Sequence, residues 1–197
     1  MTGRRLGAAF FRRPATEVAR DLLGRTLCRR LPDGTVLRGR ITEVEAYLGE
    51  RDLASHARFG LTKRNRFMWE PGGRAYVYLV YGMHHCMNVV TGPGGEAQAV
   101  LLRAATSPNG AKATGPALLT KAFSIDRTLD GASFLERGSP VWLEDGEPVA
   151  DRAVKRTARI GVDYAGAWAK RKLRLLWVPP KASGPAARAP RGTPRTR

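Results

Sequence analysis

Ala75-Tyr76-Val77-Tyr78-Leu79-Val80-Tyr81-Gly82-Met83-His84-His85-Cys86-Met87-Asn88-Val89-Val90-Thr91 is the stretch on which the fold turns. Its two halves, Ala75 to Tyr81 and His84 to Thr91, are rich in the aromatic and β-branched residues that suit a pleated, half-buried surface. They meet at Gly82-Met83, which predicts an antiparallel hairpin with Tyr81 at its tip. Downstream, Gly92-Pro93-Gly94-Gly95 turns the chain again, and Gln98 to Ala105 reads as another strand ending near Arg103. Upstream, Thr26 to Leu31 and Thr35 to Tyr47 flank Pro32-Asp33-Gly34, whose Asp-Gly pair is a second hairpin signal. Pro14 to Leu23 reads as a helix, with Pro at its start, Val18, Leu22 and Leu23 at helical spacing and Gly24 at its stop. Gly115 to Ser124 also reads as helix, and Val141 to Leu143, Arg159 to Val162 and Leu173 to Val178 read as late strands. Strands and helices that do not alternate regularly make this a single α+β domain.

The composition bounds what such a domain does. With 197 residues, 43% of them hydrophobic, the chain is long enough to bury one core. No run approaches the ~18 to 20 apolar residues that cross a bilayer, and the start, with Arg4 and Arg5, lacks the apolar stretch of a signal peptide. A soluble intracellular protein, cytoplasmic or nucleoid-associated and away from membranes, is expected. Cys28 and Cys86 form no Cys-x-x-Cys pair, so neither a disulfide framework nor structural zinc is indicated, and both read as buried thiols. The net charge is +17. Residues 1–13 carry four arginines and residues 179–197 carry Lys181, Arg188, Arg191, Arg195 and Arg197, yet the body without them still holds +8. A basic surface on the folded domain points to a nucleic-acid partner. Residues 1–13 read as a basic arm and 14–178 as the domain. Residues 179–197, with almost nothing to bury, read as a disordered basic tail.

Against that basic background, Glu43-Val44-Glu45-Ala46-Tyr47 stands out. Alternate residues of a strand share a face, so Glu43, Glu45 and Tyr47 point one way and Val44 and Ala46 the other. The ordinary reading is a half-buried strand with a solvated acidic face. Acids are scarce, however, and this pair lies just before the irregular stretch Leu48 to Arg66, which contains His56 and is long enough to be functional. Tyr76 and Tyr78 fit a strand that buries its rings. Tyr81, beside a turn, has little of its own fold to pack on and suits a wedge between base pairs. His84-His85-Cys86 looks like a metal site only in one dimension. Neighbours on a strand alternate faces, and no further Cys or paired carboxylate completes a ligand set.

Taken together, these residues resemble the alkyladenine (3-methyladenine) DNA glycosylase family. The resemblance runs through Glu43-Val44-Glu45-Ala46-Tyr47, His56, Lys63-Arg64-Asn65-Arg66, Tyr76-Val77-Tyr78, Tyr81-Gly82-Met83, Cys86-Met87-Asn88 and Val100-Leu101-Leu102-Arg103. It continues through Gly115-Pro116, Arg159-Ile160-Gly161-Val162 and Ala165-Gly166-Ala167-Trp168-Ala169, and so covers nearly the whole body of the chain. The sequence departs from the family's pattern at His84, where an aromatic is familiar, and in a shorter loop between His56 and Arg64.

The resemblance implies a mainly antiparallel, curved sheet with flanking helices and a protruding hairpin. It implies a monofunctional enzyme of base-excision repair that acts as a monomer on double-stranded DNA containing damaged purines. Glu45 would hold and deprotonate the attacking water, with Arg103 helping to place it and to keep Glu45 ionised. Tyr47, His56 and Tyr78 would line the base pocket, with Asn88 at its floor hindering guanine. Tyr81 would intercalate in the duplex, and Arg64 and Arg66 would contact its backbone. The substrates would be 3-methyladenine, 7-methylguanine, hypoxanthine and ethenoadenine, and the chemistry calls for no metal or organic cofactor. The alternative from another class is a non-catalytic RNA- or ribosome-binding protein, equally basic and compact, which would have no need of Glu45.

Overall fold

The computed structural model describes residues 3–106 and 112–178. The expected tail at 179–197 lies outside the described residues. Two short helices open the chain, α1 (Ala8–Phe11) and α2 (Ala15–Leu22). In α2 the apolar Ala15, Val18, Ala19 and Leu22 recur at helical spacing, and all four are buried. Pro14 sits at the helix start, where its missing N–H costs nothing, and the Ala15 N–H donates to Gln98 Oε1 at 2.8 Å.

The strands follow as β1 (Thr26–Arg30), β2 (Val36–Leu48), β3 (Ala75–Val80), β4 (His84–Thr91), β5 (Gln98–Thr106) and β6 (Lys112–Thr114). After α3 (Pro116–Ala122) come β7 (Val141–Glu144), β8 (Val154–Thr157) and β9 (Arg174–Trp177). Every pairing is antiparallel, in the order β3-β4-β5-β2-β1-β7, with β6 added to β5 and with β9 joining β2 to β8. The 13-residue β2 is the spine of the sheet. Its first half pairs with β1 and its second half with β5 and β9.

Strand alternation divides this sheet into two unlike faces. On one side Val44, Ala46, Val77, Met87, Val89, Val100 and Leu102 join Leu22, Leu119, Phe123 and Phe134 in the main core. On the other side lie Glu43, Glu45, Tyr47, Tyr76, Tyr78, Asn88 and Leu101. A buried sheet face that carries this much polarity must be matched internally or serve a ligand.

Three details differ from the sequence reading. The β3–β4 turn is centred on Tyr81 and Gly82, whose φ angles of 51° and 73° are both positive, and the Met83 N–H donates to Val80 O at 3.2 Å. Positive φ at both central residues is what a primed hairpin turn requires, so Tyr81 occupies the turn itself. Arg159 to Val162 is a bend rather than a strand, because Gly161 has φ +74 and the Ile160 N–H is given to a side chain. The late strand is Val154–Thr157 instead, paired with β9. Finally, the N-terminal segment packs on the domain from Gly3 onward. Leu6 and Phe11 are buried, the Leu6 N–H donates to Leu143 O at 2.9 Å, and Arg5 bridges Glu144 at the sheet edge. The arginines of that segment masked its few core residues.

Candidate active site

The site is a row across the sheet. Tyr76 pairs with Asn88, Asn88 with Leu101, and Leu101 with Glu45. Directly paired residues share a face, so four strands deliver these side chains to one floor. The floor closes a cavity of about 450 Å³, whose walls include Tyr47, His56, Tyr78, Cys86 and Arg103. All of the proposed catalytic and base-pocket residues are thereby brought together.

Glu45 is fully buried. Its two oxygens are held separately: Oε1 accepts the Ile160 N–H at 2.9 Å, and Oε2 accepts the Tyr47 hydroxyl at 2.9 Å. Arg103 Nη1 stands 3.3 Å from Oε1. Burial raises the Glu45 carboxyl above its ordinary value, opposed by Arg103, the Ile160 N–H, the Tyr47 hydroxyl and Arg159. Arg103 favours the ionised form, as expected, but desolvation outweighs it. A carboxylate lifted in this way is a stronger base than a solvated one.

Arg103 is itself fixed by Glu43, which accepts from its Nε at 2.8 Å and from Arg174 Nε at 2.6 Å. Glu43 is 7% exposed, so the solvated acidic face read from the sequence is a buried ion network. The β2–β5 ladder slips between Ile41 and Val44. Such irregularities re-aim side chains beside functional sites.

His56 starts a one-turn 3-10 helix, His56–Phe59, which Ser55 caps by accepting the Ala57 N–H. Its Nδ1 bonds the Tyr76 hydroxyl at 2.8 Å, and its ring meets Tyr78 edge-on with centroids 4.6 Å apart. Burial, reinforced by Arg64 and Arg58, lowers His56 to about 4. It is a neutral imidazole at physiological pH. Asn65 holds the loop from beneath, donating to His56 O at 3.1 Å and Gly60 O at 2.9 Å. Burial pushes Tyr76 up to about 12 and raises Tyr47 and Tyr78 as well, so all three remain neutral phenols.

Asp52 and Arg159 support the site, although the sequence assigned neither of them a role. Arg159 lies 4.7 Å over the Tyr47 ring, donates to Ala46 O at 2.9 Å and grips Asp52 through both nitrogens, at 2.5 and 2.8 Å. Asp52 and Arg159 are 107 residues apart, a separation that no local pattern reveals. Asn88 donates its amide to Tyr76 O at 3.1 Å and is buried at the floor. Cys86 lines the cavity and Cys28 lies elsewhere, both buried as free thiols.

Tyr81 stands at the rim, 88% exposed. Arg64 lines the wall, with its Nη2 donating to Leu79 O at 3.1 Å and its guanidinium 5.3 Å from the Tyr78 centroid. Arg66 lies away from the cavity, in a neighbouring basic groove of about 370 Å³ with Lys63 and Arg127. Among the described residues, no group of three or more His, Cys, Asp or Glu side chains could hold a metal ion. Nor is any helix among them long and apolar enough to cross a membrane.

Comparison with known proteins shows the family. A protein of Myxococcus xanthus (strain DK1622), provisionally named 3-methyladenine DNA glycosylase, is 49% identical over 179 residues, covering 88% of this chain and 89% of its own. A provisionally so named protein of Methanocella arvoryzae is 46% identical, with 84% and 88% covered. The human DNA-3-methyladenine glycosylase is 42% identical over 197 aligned positions, covering 87% of this chain and 65% of the human protein. The model of the methylpurine-DNA glycosylase family matches residues 9–178, which takes in the whole sheet and every residue of the cavity, and the chain belongs to that family.

Proposed function

We propose that this DNA-3-methyladenine glycosylase is monofunctional, removing alkylated or deaminated purines from duplex DNA with a Glu45-activated water. The observation that carries the reading is a fully buried carboxylate at the floor of an aromatic cavity whose rim bears an exposed tyrosine. A base inside a duplex cannot be reached, so the nucleotide is extruded at a cost of a few kcal/mol. Tyr81 offsets that cost by filling the gap in the stack, and Arg64 and Arg66 hold the backbone.

Within the cavity the base lies against Tyr47 and Tyr78, with His56 in contact with it. A purine alkylated at N3 or N7 is a cation, and over tyrosine faces it gains ~0.5 to 2 kcal/mol relative to its neutral parent. Asn88 narrows the floor against the exocyclic amine of guanine. The same positive charge makes the base a good leaving group.

As the C1′–N bond breaks, its electron pair leaves with the purine and oxocarbenium character builds on the sugar. Glu45 stabilises that charge and takes a proton from the water whose oxygen bonds C1′, and Arg103 helps place the water. The abasic sugar and the free base are the products. The cavity lining contains no lysine among the described residues, which supports water rather than an amine as nucleophile. No metal or organic cofactor is required.

Oligonucleotides carrying 3-methyladenine, 7-methylguanine, hypoxanthine or ethenoadenine test the reading. Incubation followed by alkaline cleavage of abasic sites is expected to show strand breaks at one or more lesions and none at normal purines. Intact strands at all four would refute it.

A further inference from the structure

Beside the cavity mouth, Arg58 lies against two exposed rings. Its guanidinium carbon is 4.4 Å from the centroid of Phe59 and 4.6 Å from that of Tyr164. Phe59 is 67% exposed and Tyr164 61%, so neither ring is committed to the core. Phe59 ends the 3-10 turn that begins at His56, while Tyr164 belongs to the separate 3-10 segment Asp163–Lys170. Two contacts hold this lip in place. The Tyr164 hydroxyl donates to Ala54 O at 3.4 Å, and Arg58 Nη1 donates to Leu53 O. Beneath it, Ala54, Val162 and Ala165 form a small core that also packs Tyr47. Tyr164 and Ile160, the latter bonded to Glu45, line the cavity itself.

We propose that Arg58 is a preorganised phosphate clamp for the DNA strand that carries the extruded nucleotide, held for that task by Phe59 and Tyr164. The inference rests on the reading of the cavity as a base pocket. An extruded base takes its sugar to the mouth, so the phosphodiesters on either side arrive at the rim. Arg58 is there with no carboxylate partner among the described residues. One of its donors is used by Leu53, and the others are available to two oxygens of a phosphate, the geometry that a guanidinium fork matches. Two ring contacts and a backbone bond already restrict the side chain, so little entropy remains to be lost on binding. The exposed rings add sequence-tolerant stacking surface, as strand-binding proteins use.

The test uses the full chain, a duplex containing an abasic-site analogue, and anisotropy titrations across a range of salt. Arg58→Ala is expected to weaken binding about tenfold and to reduce the slope of log K against log salt by ~0.9, the contribution of one phosphate. In steady-state excision it raises KM more than it lowers kcat. Arg58→Lys restores the slope but not the affinity, because an ammonium keeps the charge and loses the fork. Phe59→Ala, which truncates an exposed ring and spares the core, weakens binding about threefold with the slope unchanged. Wild-type slope and affinity in Arg58→Ala would overturn the clamp, and wild-type affinity in Phe59→Ala would overturn the ring's part in it. If the unaltered protein excises no lesion while Arg58→Ala still lowers the slope, Arg58 is a phosphate contact, and the base-pocket reading and the tie to an extruded nucleotide both fall.

Discussion

Glu43 holds Arg103 by its Nε edge at 2.8 Å and leaves Nη1 of the same guanidinium 3.3 Å from Glu45. Two carboxylates on one strand thus share one arginine, one orienting it and the other receiving it. Glu43→Gln removes a charge and preserves the shape, and Arg103 loses a charge-assisted hydrogen bond. The expected result is a roughly tenfold fall in kcat, about 1.4 kcal/mol of transition-state stabilisation. A purely structural role would stop there. A positioning role also moves the pH profile, because Arg103 freed from Glu43 acts more fully on Glu45 and shifts the acid limb of kcat to lower pH. An unshifted limb would count against the relay.

Glu45→Gln keeps the cavity shape and one acceptor oxygen, so the Ile160 N–H can still be satisfied while the amide nitrogen faces the Tyr47 hydroxyl as a donor, but it cannot accept the proton of water. Single-turnover excision should fall by ~10² or more, the scale of general-base catalysis, while binding to an abasic-site analogue persists. Wild-type excision by this variant would remove Glu45 from the mechanism. In the unaltered enzyme the acid limb of kcat should lie above the ordinary 4.5, because burial raises this carboxyl.

His56 makes stability depend on pH in a definite direction. Its proton is bound near 6.5 in the unfolded chain and only at about 4 in the fold. Between those values the unfolded state holds more protons, so His56 costs stability as pH falls from 6.5 towards 4 and nothing above that window. Denaturant unfolding at pH 7 and at pH 4.5 should differ less for His56→Gln than for the wild type, by up to ~3 kcal/mol. An equal difference in the two proteins would show that His56 is not buried neutral.

Much of the sheet was legible because its signals are local. The Asp33-Gly34 turn, the aromatic β3–β4 hairpin and the glycine-rich turn after Thr91 each announce themselves within a few residues. The face shared by Glu45 and Tyr47 follows from strand period alone, and the resemblance supplied the pocket roles. What stayed hidden depends on contacts across long sequence separations. Glu43 read as solvent-facing because nothing nearby shows Arg103 or Arg174 closing over it. Arg159 to Val162 read as a strand because the β-branched Ile160 and Val162 stand two residues apart there. The positive φ of Gly161 and the bond from Ile160 to Glu45 belong to tertiary structure. Leu6 and Phe11 were obscured by the arginines around them.

Asp52 and Arg159 form the buried ion pair on which Tyr47 leans. Both side chains are wholly inside the protein, so Asp52→Ala leaves a buried guanidinium without its ion-pair partner. The expected loss is ~3 to 5 kcal/mol of unfolding free energy, the cost of breaking a buried pair from one side. Arg159→Met with Asp52→Leu should recover part of it, since apolar replacement of both partners removes the uncompensated charge. Excision would remain impaired in the double variant, because Tyr47 loses the cation stacked over it. Chemical denaturation and single-turnover assays on the same samples separate the two effects.

Tyr81 occupies the hairpin turn with φ 51°, a region that a bulky residue enters only at a cost. Among the described residues little packing repays that cost, since Tyr81 is 88% exposed. Such strain is explained if the ring is used outside the fold, as a wedge in the duplex. Tyr81→Asn tests this without harming the hairpin, because asparagine tolerates positive φ and suits a primed turn. The melting temperature should be unchanged or slightly higher. Excision from duplex DNA should nonetheless fall about tenfold or more, as a few kcal/mol of unstacking go uncompensated, while excision from single strands is nearly preserved. Tyr81→Ala should behave in the same way towards the two substrates. Equal losses on duplex and single-stranded substrate would show that the tyrosine acts on something other than the gap in the stack.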